Sequence, residues 1–208
     1  MQRRVRRTHW QNGWMTDFPL IQTQRLLLRE VTAEDAPALL SIHGDRDLMK
    51  WFGSDPIPDL RAAEGLAETF AEWRRAGTGT RWGLQLRDQQ GLIGTCGLFR
   101  WDQRWKRCTT GYELARPFHG QGLMREALAA MLSWGFENMG LNRVEAQIHP
   151  LNVASLHLAE AIGFRQEGLL REVGYWGGGH HDLLQYSLLQ RDWQTEQIVA
   201  NARMSLPE

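Results

Sequence analysis

The chain has 208 residues, 42% of them hydrophobic, with basic and acidic side chains in equal number. That length suits one domain with a substantial core. The even charge argues against a dedicated nucleic-acid-binding body, and no apolar run approaches the ~20 residues that cross a bilayer. Charge is uneven along the chain: Arg3, Arg4, Arg6 and Arg7 open it without a compensating acid, which leaves −4 on the remainder. Residues 1–17 read as a basic, disordered leader, or as an over-called start ahead of Met15. They are not a secretory signal, because no apolar segment follows. Cys96 and Cys108 have neither metal-site spacing nor partners for a disulfide framework, which points to reduced thiols and a cytoplasmic location.

In chain order, 25–31 (RLLLREV) has the pattern of a strand. Thr32 with Asp35 three residues on marks a helix start, and the helix carries Leu39, Leu40 and Ile42 as far as Gly44. Segment 45–58, with Gly53, Pro56 and Pro58, is expected to be a loop. Leu60, Ala63, Leu66, Ala67, Phe70 and Trp73 recur at helical steps, predicting a helix from Asp59 to about Ala76. The period then changes. Residues 81–87 and 91–100 form a hairpin pattern around Asp88–Gly91, and 107–115 is a further strand. Leu123 to Asn138 is a helix ended by Gly140, 142–149 a strand, and 152–162 a short helix stopped by Gly163. Strands 164–172 and 182–189 flank a glycine-rich tip at 174–180, and a helix is expected over Arg191 to Met204. The order β-α-α-β-β-β-α-β-α-β-β is an α+β arrangement with a mixed sheet packed by helices.

The chemistry concentrates in 111–128, GYELARPFHGQGLMREAL. A strand ends at Leu114, the chain turns through Pro117, and Gly120 and Gly122 flank one residue before a helix begins. Glycines there let a ligand approach main-chain N–H groups. The first N–H groups of a helix lack internal partners, and the helix dipole favours an anion beside them. A strand–Gly-x-Gly–helix unit is therefore a pyrophosphate cradle, although the same pattern also serves as a plain tight turn. Arg125 stands where a dinucleotide fingerprint needs glycine, and no Gly-Lys-Ser/Thr is present, so another pyrophosphate ligand is favoured. In 150–164, PLNVASLHLAEAIGF, Asn152 precedes a short helix and Ser155 lies three residues on, a spacing that also fits simple capping.

Together these segments resemble the GNAT superfamily of N-acetyltransferases. His119-Gly120-Gln121-Gly122-Leu123-Met124 is similar to that family's pyrophosphate loop, and Asn152-x-x-Ser155 running into Gly163-Phe164 to its second acyl-CoA motif. Glu167-Gly168-x-Leu170-Arg171, His181-Asp182 and Tyr186-Ser187-Leu188-Leu189 resemble the branch that acetylates N-termini of ribosomal proteins. The resemblance implies a GNAT domain over 18–193, with a mostly antiparallel sheet of about seven strands and four or more helices, and a C-terminal helix or tail at 194–208. It implies acetyl-CoA as acyl donor, and as acceptor a protein N-terminus or a small amine such as a polyamine, amino acid or aminoglycoside. A non-catalytic acyl-CoA sensor is the alternative. Homodimers are common in the branch, and no metal is implied.

The site residues implied are these. Leu114 and Ala115 offer main-chain N–H groups to the thioester oxyanion. His119, Gly120, Gln121, Gly122, Leu123, Met124 and Arg125 hold the pyrophosphate, and Asn152 binds the pantetheine arm or orders a water. Glu113, at the end of its strand, would take the amine proton, although a solvent-facing strand residue is its plainer interpretation. Many members carry a tyrosine acid seven residues beyond the motif Asn; Ala159 stands there, and Ser155 is the implied substitute beside the leaving thiolate. His180-His181-Asp182 resembles a ligand triplet but lacks clustered companions. Trp51, Trp82, Tyr175 and Trp176 are candidates for an acceptor cleft or for core packing.

Overall fold

The computed structural model describes residues 17–194, together with the backbone of 10–11 and 14–15. The predicted leader therefore lies mostly outside the described residues, as does the expected helix over Arg191 to Met204 beyond residue 194; residues 190–194 are helical. Two short strands, β1 (Trp10–Gln11) and β2 (Trp14–Met15), pair with each other. Next come β3 (Ile21–Gln22), β4 (Leu26–Glu30), α1 (Ala36–His43), α2 (Arg46–Met49) and α3 (Leu60–Arg75). They are followed by β5 (Gly79–Leu86), β6 (Gly94–Asp102), β7 (Arg107–Leu114), α4 (Leu123–Asn138) and β8 (Arg143–Ile148). The last elements are α5 (Val153–Ile162), β9 (Arg165–Trp176) and β10 (Gly179–Leu189).

Eight strands form one sheet in the order β3-β4-β5-β6-β7-β8-β10-β9, with every pair antiparallel except β7–β8. Helices cover both faces. On one face, α4 turns Leu128, Met131 and Leu132 inward against Leu26, Leu28, Trp82, Leu84 and Leu98. On the other, α1 and α3 close Leu39, Ile42, Ala63, Ala67 and Phe70 over Val31 and Leu92. Asp59 caps α3 by accepting from Ala62 N–H at 2.9 Å, and Arg74 and Arg75 occupy its last turn, where the dipole favours cations.

Three local features depart from the sequence expectation. Segment 45–58 is not all loop: the Asp45 carboxylate accepts from the N–H groups of Asp47 and Leu48 and thereby starts α2. Strand β3 adds an edge the periodicity did not show, being two residues long. The glycine-rich tip is a two-residue turn, because Gly177 and Gly178 both take positive φ and let β9 and β10 run up to it.

What positions the site is the break between β7 and β8. Their parallel pairing covers only Arg107–Thr109 with Arg143–Glu145. Beyond that the strands part, while β7 stays paired with β6 to Leu114 and β8 stays paired with β10 to Ile148. The parted ends leave main-chain groups of a central strand facing a gap, which is where a ligand can add hydrogen bonds.

Candidate active site

At this gap lies a cavity of about 300 Å³, lined by Tyr112, Glu113 and Leu114 of β7, Phe118, His119, Gly120 and Gly122–Arg125 of the following turn, Asn152, Ala154, Ser155 and Leu158 of the α5 segment, and Leu48 and Phe52. All the sequence-predicted site residues except Ala115 and Gln121 are thus gathered in one place from three separate parts of the chain.

The cradle forms as its glycines require. Gly120 and Gly122 have φ of 72° and 73°, the left-handed region, and Gly122 is the N-cap of α4. Among the described residues, none accepts a hydrogen bond from the main-chain N–H groups of 120–125. Those amides, at the positive end of a sixteen-residue helix, are available to an anion. Leu123 and Met124 bury their side chains in the core, so only their backbone is available to a ligand. His119 donates from Nε2 to the Leu114 carbonyl at 2.6 Å, tying the turn to the strand end. Sequence reasoning missed Arg25, about a hundred positions away: its guanidinium donates to the Gln121 carbonyl at 2.8 Å and pairs with Glu126 at 2.7 Å.

The strand end contributes one amide. Ala115 N–H donates to the Ile93 carbonyl at 2.8 Å and is committed, which removes it as an oxyanion donor. Because hydrogen-bonded and non-bonded pairs alternate in an antiparallel ladder, Leu114 opposite Gly94 turns its N–H away from β6, toward the gap.

Glu113 is not a solvent-facing strand residue. It is 5% exposed; one oxygen faces His43 Nε2 at 3.1 Å and accepts from the Thr95 hydroxyl, and the other pairs with Arg81. Burial alone would raise its carboxyl, but the Arg81 charge, then His43 and the Thr95 hydrogen bond, outweigh burial and hold it below the ordinary value. It is a fixed anion at neutral pH and a weak proton acceptor. Arg81, His43 and Thr95 carried no sequence signal, since each comes from a different element.

Asn152 caps α5, its Oδ1 accepting from Ser155 N–H at 3.2 Å, which leaves its amide nitrogen for a ligand. The Ser155 hydroxyl meets the Tyr112 hydroxyl at 2.8 Å. Ala159 is buried.

The segment that carries Phe52 into the cavity also meets the β9–β10 hairpin. Trp51 stacks on His149 at 4.2 Å, Trp176 stacks on His181 at 3.8 Å, and Trp176 Nε1 donates to the Lys50 carbonyl. Trp82, by contrast, is wholly buried and donates to the Pro19 carbonyl, so it is core and not cleft wall. The His180-His181-Asp182 side chains diverge: His180 packs on Tyr175, His181 Nε2 donates to the Trp176 carbonyl, and Asp182 accepts from Glu172 N–H.

Residues 25–165 match the model of the acetyltransferase (GNAT) domain. The chain is 32% identical to the uncharacterised N-acetyltransferase YoaA of Bacillus subtilis over 173 residues, covering 83% of this chain and 98% of that protein. It is 34% identical over 181 residues to YdaF of the same organism, provisionally named a ribosomal N-acetyltransferase, covering 83% and 96%. A solved structure described as a probable acetyltransferase superposes with a TM-score of 0.76 at 29% identity, covering 84% of this chain and 98% of its own.

Proposed function

Since the chain belongs to the GNAT acetyltransferase family, and is an N-acetyltransferase that takes its acyl group from acetyl-CoA, we propose that its acceptor is the N-terminal amine of a protein, with ribosomal proteins as the leading class. The observation that carries this is the scarcity of free carboxylate in the cavity lining. Glu113 is the one carboxylate among the lining residues, and it is paired with Arg81. A polyamine site needs several free anions to match several ammonium groups. The lining here is largely apolar and its one carboxylate is already paired, which suits one amine on a peptide. The name given to YdaF supports the same class.

In the proposed reaction the amides of 120–125 hold the diphosphate, and Asn152 holds the pantetheine arm with its free amide. Positioning supplies much of the rate, by making the attack effectively unimolecular. The neutral amine attacks the thioester carbonyl, and the Leu114 N–H donates to the oxyanion that develops. Glu113, held ionised by Arg81, orders the water through which the departing ammonium proton leaves. Ser155 hydrogen-bonds the leaving thiolate. Buried, unpaired Cys96 and Cys108 fit a cytoplasmic enzyme, and a homodimer is the proposed assembly.

A panel of peptides with N-terminal alanine, serine or threonine, set against spermidine, free amino acids and an aminoglycoside, tests the acceptor. Acetylated product is read by mass spectrometry. The expected result is the highest kcat/KM on a peptide α-amine. Preference for spermidine would replace the proposal with a polyamine acetyltransferase, and tight acetyl-CoA binding without turnover across the panel would replace it with a sensor.

A further inference from the structure

The hydroxyl of Tyr112 sits 2.8 Å from Ser155 Oγ and 3.4 Å from the Ser155 carbonyl, and both residues line the cavity that contains the cradle. Tyr112 reaches this point because β7 is still a regular strand there. Glu113 next to it goes to the opposite face, toward α1 and Arg81, while Tyr112 goes toward α5. The two residues therefore bracket the gap from the two faces of the sheet. Position 159, where a tyrosine from α5 would approach the same site, is an alanine buried in the core.

We propose that Tyr112 is a positioning residue for acetyl transfer: it donates its hydrogen to Ser155 Oγ and so leaves the serine hydrogen free for the departing sulfur. This rests on the role proposed above for Ser155. Each hydroxyl carries one hydrogen and two lone pairs, so the pair has two polarities. If serine donates to tyrosine, it presents only lone pairs to the cavity, and a thiolate is repelled. If tyrosine donates to serine, Ser155 keeps its own hydrogen for the sulfur. The arriving negative charge selects the second polarity. Burial raises the Tyr112 hydroxyl above its ordinary range, against a smaller opposing effect of the Ser155 bond, so the tyrosine stays protonated and remains a donor.

Tyr112 does not lose its proton in this step. The carbon–sulfur bond of the tetrahedral adduct breaks and its electron pair stays on sulfur, stabilised by the Ser155 hydrogen. The attacking nitrogen releases one proton to solvent water and the thiolate takes one up from solvent, so thioester and amine become amide and thiol. Chaining the two hydroxyls also strengthens the serine as a donor, because a hydroxyl that accepts a hydrogen bond polarises its own O–H.

The test is a double-mutant cycle on Tyr112→Phe and Ser155→Ala, with single-turnover rates measured at saturating acetyl-CoA and the apparent affinity for acetyl-CoA measured alongside. Tyr112→Phe keeps the ring and its packing, and a thermal melt verifies the fold of each variant. The expected result is a loss of about 10- to 100-fold in rate for each single variant, as for a hydrogen bond to a charged group. The double variant is expected to be no slower than the slower single, and acetyl-CoA affinity to stay within about twofold. A wild-type rate for Tyr112→Phe beside a slow Ser155→Ala overturns the inference and leaves the serine role standing. Losses that multiply in the double variant overturn it too, since the residues then act independently. A wild-type rate for Ser155→Ala removes the serine role and this inference with it. Tyr112→Phe that is folded and fully fast at saturation but weak for acetyl-CoA shows a packing role only, and also overturns it.

Discussion

Arg81 and Glu113 form an ion pair in which each residue is 5% exposed, and Glu113 lines the cavity where the acceptor amine is proposed to arrive. Arg81 Nε also donates to Thr95 Oγ1 at 2.5 Å, and Thr95 donates on to Glu113. Removing one partner of such a pair strands a buried charge, at a cost of about 3–5 kcal/mol. Glu113→Gln is therefore expected to lower the melting temperature by roughly 10 °C, as well as the rate. Adding Arg81→Met to Glu113→Gln should recover much of the stability without recovering activity. Calorimetric melts and initial rates on the three variants check both statements.

The cradle allows a cleaner separation. A Cβ at Gly122 would meet only Arg25 Nη2, at 3.6 Å, and one at Gly120 would meet nothing within 4 Å. Alanine at either position thus suffers chiefly from positive φ, at roughly 1–2 kcal/mol. The affected backbone is the part proposed to face the diphosphate, so Gly122→Ala is expected to raise KM for acetyl-CoA by about tenfold or more with a smaller effect on kcat. Steady-state kinetics at saturating acceptor give the answer.

Arg25 should behave as a supporting cation. Its fork already joins Glu126 to the Gln121 carbonyl. Arg25→Ala loosens the turn and removes positive charge beside the proposed diphosphate site. KM for acetyl-CoA is expected to rise at low salt, and the gap from wild type to narrow as ionic strength grows. A gap independent of salt would assign Arg25 to turn geometry alone.

Glu167 of β9 links three strands, accepting from Arg143 of β8 and from Ser187 of β10. Arg143 first, then Ser187, hold its carboxyl down at about 2, against ~4.3 in an unfolded chain. A depressed carboxyl stabilises the fold above the unfolded value and loses that contribution as pH falls toward the folded one. The pair is partly exposed, with Glu167 at 43%, so about 1 kcal/mol is the expected size at neutral pH. In urea unfolding, the gap between wild type and Glu167→Gln should shrink by roughly half between pH 7 and pH 3.

Much of this was legible in the sequence because local rules agree with the global fold. The three- and four-residue recurrence in 60–73, the alternation in 142–149 and the stops at Gly140 and Gly163 each correspond to an element in the structure. The cradle was legible because main-chain amides and helix starts are written in glycine spacing. Residues that act through long-range contact were not. Arg81, His43 and Thr95 become meaningful only when β5, α1 and β6 meet at Glu113, and Tyr112 only when α5 brings Ser155 to it. The loop expected at 45–58 concealed α2, since two prolines and a glycine outweighed the Asp45 cap in the local pattern.

The most direct measurement is titration calorimetry of acetyl-CoA and of CoA into the folded full-length chain, with Gly122→Ala as the comparison. Saturable heat with one site per chain, weakened in the glycine variant, is the expected result. A folded chain that takes up neither molecule would contradict a diphosphate cradle at 120–125, and with it every catalytic role placed around the gap between β7 and β8.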